Sequence, residues 1–144
     1  MSNSKYDVLK LENQLCFPLY AAAREVVKQY RPYLDELDIT YTQYITMMVI
    51  WEEKEITVKA LGERLFLDSG TMTPVLKSLE AKGYVTRKRS TTDERSVSVF
   101  LTDNGEALKE KAVDIPAKVA GCVGLDLSEA AALYETLYKI LKPE

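Results

Sequence analysis

The chain contains no histidine, and this absence removes several kinds of active site at once. Without imidazole there is no Ser-His-Asp or Cys-His nucleophilic site, no histidine-ligated zinc, and no side chain that ordinarily titrates near neutral pH. The sequence therefore argues against most familiar enzyme classes, and we expect neither a metal nor a cofactor. Cysteine is scarce as well, since Cys16 and Cys122 are the only two. They do not form the dense framework of a small secreted domain, so we expect reduced thiols at rest.

Long hydrophobic runs are also missing. The longest mostly apolar stretch, Ile45 to Trp51, is far too short to span a bilayer, and residues 1–7 lack the apolar core of a signal peptide. The 144 residues are 47% hydrophobic and 28% charged, which is typical of one globular domain. We therefore expect a cytoplasmic protein without a membrane partner.

The formal net charge of −3 hides an uneven distribution. A net negative charge alone argues against a polyanionic partner, because phosphate charges dominate the affinity of proteins for nucleic acids. Between Thr71 and Arg95, however, six basic residues stand against three acidic ones, a local excess of three positive charges. Because local charge matters more than the sum, this segment is a candidate surface for a nucleic acid.

Hydrophobic periodicity predicts helices in the N-terminal part. Residues from about 8 to 30 have the apolar spacing of a long helix, which Pro18 interrupts, so we expect a kink or a helix start near Cys16. A short helix is expected after Pro32, and another from Thr40 to Glu53. The residues of this last helix expected to face inward are Tyr44, Met47, Met48 and Trp51.

The middle of the chain has the order helix, tight turn, helix and two-stranded hairpin. Thr57 caps a short helix that ends in the turn 67–70, and the second helix has one apolar face and one free face. Its apolar face carries Met72, Val75, Leu76 and Leu79; its opposite face carries Gly70, Thr73, Pro74 and Lys77. Gly83 ends this helix, and the pattern of residues 84–101 predicts a β-hairpin with a hydrophilic tip from Ser90 to Glu94. The predicted fold class is therefore mostly α with a small β-hairpin wing, a winged helix-turn-helix.

Two further helices are predicted after the hairpin. Thr102 caps one that runs towards Val119, and Ser128 caps the last. The stripe of this last helix consists of Leu133, Leu137, Ile140 and Leu141. We expect a single domain in which residues 55–101 bind DNA, while the amphipathic helices at about 8–40 and 102–144 form the dimer, because their apolar stripes need a partner.

In this arrangement the second helix of the pair is the recognition helix, or reader helix, which contacts the DNA bases. Its free N-terminal face offers small hydroxyls and one cation, which can approach base edges and phosphates in the major groove. These residues are Ser69, Thr71, Thr73 and Lys77. At the hairpin, Arg87, Lys88, Arg89 and Arg95 are expected to follow backbone phosphates, with Asp93 orienting Arg95. The alternative is that the hairpin is only a solvated charged surface and the helices are ordinary packing elements.

Several segments resemble the MarR family of transcriptional regulators. They are LDSGTMTPVLK at 67–77, KG at 82–83, RKR at 87–89 and DERS at 93–96. The segment LENQLCFPLY at 11–20 further resembles the organic hydroperoxide sensor (OhrR) branch. The resemblance extends from about Leu11 to about Leu141 and implies a repressor whose first and last two helices interlock two subunits. The homodimer would grip a pseudo-palindromic operator in double-stranded DNA.

The same resemblance assigns redox sensing to Cys16. An organic hydroperoxide would oxidise Cys16 to a sulfenic acid in an apolar pocket lined by Leu15, Phe17 and Leu19. Tyr20 is one helical turn from Cys16, and the resemblance places Tyr30 and Tyr41 of the partner subunit around the thiol. Phenolic donors are a means of stabilising a thiolate in a chain without histidine.

Each thiol also has a purely structural interpretation. Cys16 would then be an inert residue on an apolar helix face, and the tyrosines would be ordinary core and interface residues. Cys122 lies where two-cysteine members of this branch carry the thiol that closes an intersubunit disulfide, and Gly121 and Gly124 around it suggest a mobile loop. The residues beside Cys122 match no specific motif, so the alternative is a spectator in a flexible turn.

Two other functions remain open at this point. One is a MarR-like repressor that responds to a reversible aromatic ligand between its helices. The other is a thiol peroxidase, although neither a Cys-X-X-Cys motif nor an arginine-flanked thiol accompanies Cys16.

Overall fold

The computed structural model describes residues 4–93 and 95–142, which form seven α-helices and a three-stranded antiparallel sheet. The helices are α1 (Cys16–Glu36), α2 (Tyr41–Glu53), α3 (Val58–Leu65), α4 (Ser69–Ala81), α5 (Asp103–Ala112), α6 (Ile115–Val123) and α7 (Leu127–Leu141). The strands are β1 (Glu55–Thr57), β2 (Val85–Arg89) and β3 (Val97–Leu101). None of the helices in the described ranges has the length and apolar character needed to cross a membrane.

The first helix begins at Cys16, as one of the two effects expected of Pro18. Residues 8–15 are not α-helical, because two 3₁₀ turns, Lys5–Leu9 and Leu11–Asn13, precede α1. Pro18 lies in the first turn, where its missing N–H has no intrahelical acceptor. The prediction of a separate helix after Pro32 is wrong, since Pro32 lies inside α1, which continues to Glu36. Burial of Leu34, only 2% exposed, keeps this last part of α1 packed on the core.

Helix α2 runs through the centre of the core. Met47 and Ile50 are fully buried. The expectation that Met48 faces inward with Met47 is wrong, because adjacent residues point about 100° apart on a helix and Met48 is 44% exposed. Trp51 Nε1 donates a hydrogen bond of 2.8 Å to the carbonyl of Gly105, which ties α2 to α5.

The helix-turn-helix consists of α3 and α4. Thr57 caps α3 as predicted, and its hydroxyl accepts from the N–H of Ala60 at 3.1 Å. The turn is shorter than expected, since α4 already starts at Ser69, where Asp68 is the N-cap. The two predicted faces of α4 are confirmed: Met72, Leu76 and Leu79 are buried and Val75 is half-buried, whereas Gly70, Thr73, Pro74 and Lys77 are exposed.

The wing contains one strand more than predicted. The β2–β3 hairpin pairs Val85 with Leu101 and Arg89 with Val97, as the alternation indicated. Gly83 has a φ of +84°, which lets the chain turn from α4 into β2. Strand β1 adds to the other edge of β3 and gives the order β1-β3-β2. Glu94, part of the predicted wing tip, lies outside the described residues.

The C-terminal part differs from the prediction in its helix boundaries. The single helix expected from Thr102 towards Val119 is two helices, α5 and α6, because Pro116 lacks an N–H and its ring would collide with the carbonyl of Ala112 in a continuous helix. The last helix is capped by Asp126, whose carboxylate accepts from Glu129 N–H at 2.8 Å, and not by Ser128. No residue of α7 is buried in the single chain.

Candidate nucleic-acid interface and thiol site

The four predicted reader residues of α4 are all exposed, but only three of them share one side of the helix. Ser69, Thr73 and Lys77 follow at a spacing of four, which places them one above another. Thr71 is exposed in the first turn but lies about 200° around the helix from Ser69. The Thr73 hydroxyl donates to the Ser69 carbonyl at 2.9 Å, which leaves its oxygen lone pair available as an acceptor.

The start of α4 is fixed by its capping carboxylate. Asp68 Oδ1 accepts a hydrogen bond of 2.7 Å from the N–H of Thr71. This bond, together with the Thr71 side chain, holds the pKa of Asp68 below its ordinary value. The reader helix therefore begins at a defined residue, with the small side chains of its first turn presented to solvent.

A cleft of about 1040 Å³ separates α4 from the wing. Five of the predicted DNA-binding residues line it: Ser69, Thr73, Arg87, Asp93 and Arg95. The remaining four, Thr71, Lys77, Lys88 and Arg89, lie outside this lining. The fold thus brings side chains from the reader helix and the wing to one surface, as the winged helix-turn-helix interpretation requires.

Arg87 has a partner that the sequence did not indicate. Its Nη2 donates to Glu80 Oε1 at 3.1 Å, and its backbone N–H donates to Glu80 Oε2 at 3.0 Å. The hydrogen bond from the guanidinium is the main reason that the pKa of Glu80 is lowered. Arg87 was expected to follow phosphates, but its guanidinium is engaged in joining β2 to the end of α4.

The other wing cations lie towards the surface. Lys88, Arg89 and Arg95 are exposed, and Lys88 Nζ lies 5.5 Å from the centre of the Phe100 ring. Asp93 contacts Arg95 through the backbone, since Asp93 Oδ1 accepts from the Arg95 N–H at 3.0 Å. Asp93 therefore shapes the turn that carries Arg95.

Cys16 is the first residue of α1 and is exposed in the single chain. The expected pocket residues around it are exposed as well: Leu15, Phe17 and Leu19. Tyr20, one turn further, contacts the Arg24 guanidinium, whose carbon lies 5.4 Å from the ring centre. Tyr30 is 14 residues beyond Cys16, or about 21 Å along the helix axis. Cys16 and Tyr30 of one chain therefore do not meet.

Tyr30 and Tyr41 do lie together, and Tyr44 joins them. The ring centres of Tyr30 and Tyr41 are 4.9 Å apart, and Tyr44 lies 5.7 Å from Tyr30 and 6.2 Å from Tyr41. Burial raises the pKa of all three, and that of Tyr44 reaches about 12, with smaller contributions from Tyr30 and Tyr41. The three phenols are therefore neutral hydrogen-bond donors at physiological pH. The sequence placed Tyr44 in the core but gave no signal that it completes this cluster.

Cys122 lies in the last turn of α6, so the expectation of a mobile loop is wrong. Its Sγ donates to the carbonyl of Lys118 at 3.5 Å, and Gly124, with a φ of +75°, ends the helix after it. Lys118 Nζ lies 5.5 Å from the ring centre of Tyr33, near the end of α1 opposite to Cys16. Cys122, one turn from Lys118, therefore lies near the Tyr33 end of α1, and Tyr33 is about 25 Å along α1 from Cys16. A disulfide needs Cα atoms within about 7 Å. The two thiols of one chain are therefore not placed to pair.

A second, smaller cavity of about 330 Å³ lies between α2 and the α5–α6 turn. Its lining is largely apolar and includes Tyr44, Met48, Trp51, Ala112, Val113 and Pro116. Among the residues described by the structure, no group of three or more acidic or cysteine side chains is arranged to hold a metal ion.

Comparison with known proteins gives similar regulators by sequence and by structure. Residues 28–112 match the family model of the transcriptional regulator SarA/Rot. The chain is 52% identical over 139 residues to the organic hydroperoxide resistance transcriptional regulator of Bacillus subtilis strain 168, covering 96% of this chain and 95% of the relative.

DNA complexes are among the similar solved structures. Reduced AbfR bound to DNA, a protein of Staphylococcus epidermidis, matches with a TM-score of 0.78 and 36% identity over 96% of each chain. A cysteine-to-serine mutant of MarR from E. coli, complexed with operator DNA, matches with a TM-score of 0.82 and 26% identity, covering 97% of this chain and all of the other. The predicted resemblance to MarR-type winged helices is confirmed.

Proposed function

This chain belongs to the SarA/Rot family of transcriptional regulators and has a MarR-type winged helix, and from this premise we propose its function. It is a cytoplasmic repressor that binds double-stranded DNA as a homodimer and releases it when an organic hydroperoxide oxidises Cys16. The observation that carries the proposal is the exposed thiol of Cys16 at the start of α1, in a chain whose α4 and wing line one common cleft.

In the proposed function, residues 55–101 form the DNA-binding unit. Helix α4 enters the major groove, where Ser69, Thr73 and Lys77 approach base edges and phosphates from one side of the helix. The exposed cations of the wing, Arg95 foremost, lie along the backbone or in the adjacent minor groove. Arg87 contributes through Glu80, by holding the wing against α4.

In the proposed homodimer, residues 8–40 and 102–144 form the interface between the subunits. Exposed apolar side chains concentrate at these two ends, among them Leu15 at 84% and Leu127 at 91% exposure. A lone chain rarely leaves so many large apolar side chains in water, and a two-fold dimer covers them with the same surface of a second copy. Two-fold symmetry in the protein implies a pseudo-palindromic operator.

The sensor of the proposal spans both subunits. Cys16 lies about 21 Å along α1 from Tyr30, so the Tyr30–Tyr41–Tyr44 cluster does not meet the thiol of its own chain. As the family resemblance implies, the cluster receives Cys16 of the partner subunit. There the neutral phenols donate hydrogen bonds to the thiolate. The thiolate sulfur attacks one oxygen of the hydroperoxide, the O–O bond breaks, and the alkoxide takes up a proton and leaves as an alcohol. Cys16 is left as a sulfenic acid, which no longer matches the hydrogen bonds that held the thiolate.

Cys122 supplies the second step of the proposal. The thiol of Cys122 condenses with the sulfenic acid on Cys16 of the partner subunit, with loss of water, to give an intersubunit disulfide. A reducing thiol reverses the step by exchange. The end position of Cys122 on an exposed helix leaves its sulfur accessible for this reaction.

A reversible aromatic ligand is the second candidate signal. It is favoured by the cavity of about 330 Å³ beside Tyr44 and Trp51, whose apolar lining suits a small aromatic ring. In this alternative a ligand such as a substituted benzoate releases the Cys16→Ser variant from DNA without any oxidant.

The experiment is DNA binding by fluorescence anisotropy on a duplex selected from a random library by the reduced protein. Our proposal predicts binding of the reduced protein, release by cumene hydroperoxide, and recovery with dithiothreitol. Each subunit consumes about one equivalent of peroxide, since the chain acts as a switch. Continued peroxide consumption in the presence of a thiol reductant would instead indicate a peroxidase.

A further inference from the structure

Gln43 and Thr46 are the non-aromatic polar side chains buried in the described core, and they differ in what they bind. Thr46 Oγ1 donates to the Thr42 carbonyl at 2.7 Å, one turn earlier in the same helix. Gln43 reaches across to the reader helix, where its Nε2 donates to Ser78 Oγ at 2.8 Å. A buried amide costs free energy when its hydrogen bonds are not made. Gln43 therefore links α2 to α4.

The orientation of the Gln43 amide is fixed by its other end. Gln43 Oε1 accepts from the N–H of Thr40 at 2.9 Å in the capping box of α2, so the amide nitrogen has to face Ser78. The same first turn of α2 carries Tyr41 and Tyr44. One side chain thus joins the helix end that holds the tyrosine cluster to the helix that carries the reader residues.

A second contact joins the same two regions. Lys82, directly after α4, donates from Nζ to the carbonyl of Asp38, and its charge lies 3.7 Å from the Asp38 carboxylate. Asp38 lies in the corner between α1 and α2, which ends at Thr40, the N-cap of α2. The two contacts, at Ser78 and Lys82, tie the second half of α4 to the first turn of α2 and to the α1–α2 corner.

We propose that Gln43 and Ser78 are positioning residues that couple the tyrosine cluster to the DNA affinity of α4. The inference rests on the proposed function, in which oxidation of Cys16 rearranges that cluster. If the first turn of α2 shifts with Tyr41 and Tyr44, the bond of 2.8 Å tolerates only a few tenths of an ångström before it is lost. If α4 follows the shift, the reader helix leaves its DNA-binding position; if the bond breaks, α4 loses a contact that holds it there. Such coupling is a free-energy difference between two arrangements.

The measurement is the ratio of the DNA dissociation constant of the oxidised protein to that of the reduced protein. In Ser78→Ala the bond is missing in both states, so the reduced protein binds more weakly, the oxidised protein changes little, and the ratio falls about fivefold or more. Ser78→Thr keeps the hydroxyl and the wild-type ratio. Gln43→Leu lowers the ratio too, and adding Ser78→Ala to it lowers the ratio no further, since both act through one bond.

Thr46→Val is the matched control. It removes a buried hydroxyl of the same helix that has no bond to α4, so it lowers the free energy of unfolding and leaves the ratio unchanged. An unchanged ratio in Ser78→Ala, or an equal fall in Thr46→Val, overturns the coupling while the proposed function stands. A wild-type ratio of one overturns the proposed function and the coupling with it.

Discussion

Glu80 on the reader helix accepts two hydrogen bonds from Arg87 on the wing, one from the backbone N–H and one from the guanidinium. The pair sets the spacing between α4 and β2, and with it the width of the cleft that carries Ser69, Thr73 and Arg95. The Glu80–Arg87 pair therefore joins the reader helix to the wing.

Replacement of Glu80 by alanine is predicted to lower the affinity for all DNA sequences together. A partly solvated pair contributes up to about 1 kcal/mol, which corresponds to about fivefold in affinity if it serves to hold the wing. Glu53→Ala is the control, because it breaks a charged pair with Arg64 that lies outside the α4–β2 contact. Equal DNA affinities of the two variants, measured by anisotropy, would show that the Glu80–Arg87 pair does not affect DNA binding.

Arg95→Ala is predicted to weaken binding by a similar factor on every duplex. In the proposed function its exposed guanidinium contacts a phosphate, so the slope of log K against log salt is expected to decrease in magnitude by about 1. Thr73→Val, by contrast, changes the order of preference among operator variants, with about 1–3 kcal/mol for a lost base contact. Titrations at several salt concentrations distinguish the two, and an unchanged salt slope in Arg95→Ala would place the wing tip off the DNA.

The tyrosine cluster predicts a dependence of stability on alkaline pH. Burial raises the pKa of Tyr44 to about 12 in the folded protein, above the ordinary value near 10 in the unfolded chain. The resulting stabilisation is complete below pH 10 and is lost as the pH rises through 12, because the folded state keeps its proton longer. Tyr44→Phe makes the fall in unfolding free energy over this range shallower, as urea titrations at each pH will measure. Trp51→Phe, a change in the same helix without a titrating group, keeps the wild-type slope; a wild-type slope in Tyr44→Phe contradicts the assignment.

Most of the fold could be predicted from local signals in the sequence. The amphipathic spacing of α4, the Thr57 cap and the turn at Gly83 depend on neighbours in sequence, and each was predicted. Strand β1 was missed because three residues show no alternation, and only pairing with β3 makes them a strand. The α5–α6 break was missed although Pro116 signals it.

The remaining features could not be predicted because they depend on contacts between residues that are distant in sequence. Glu80 and Arg87, or Gln43 and Ser78, are ordinary surface-type residues in sequence, and only the packing of α4 on β2 and α2 brings them together. The sensor could be predicted only by resemblance, since within one chain Cys16 lies about 21 Å along α1 from Tyr30. No periodicity shows which side chains a second subunit brings.

Cys122→Ser distinguishes a disulfide switch from a sulfenic acid switch. If Cys122 resolves the oxidised Cys16, non-reducing gels of oxidised wild type show a covalent dimer that this variant lacks. The oxidised variant stays on DNA or proceeds to sulfinic acid, and a small added thiol restores its release by forming a mixed disulfide. A covalent dimer that persists in Cys122→Ser contradicts the two-cysteine mechanism and leaves the DNA-binding proposal untouched.

The central claim is that Cys16 converts a hydroperoxide signal into loss of DNA binding, and one comparison tests it most directly. Wild type and Cys16→Ser are bound to the same duplex in the reduced state and titrated with cumene hydroperoxide while anisotropy is recorded. Serine keeps the size and position of the side chain at the start of α1 but is not oxidised. We predict equal affinities before oxidant, release of wild type at about one equivalent per subunit, and no release of the variant. Release of Cys16→Ser at the same peroxide concentration would contradict the account.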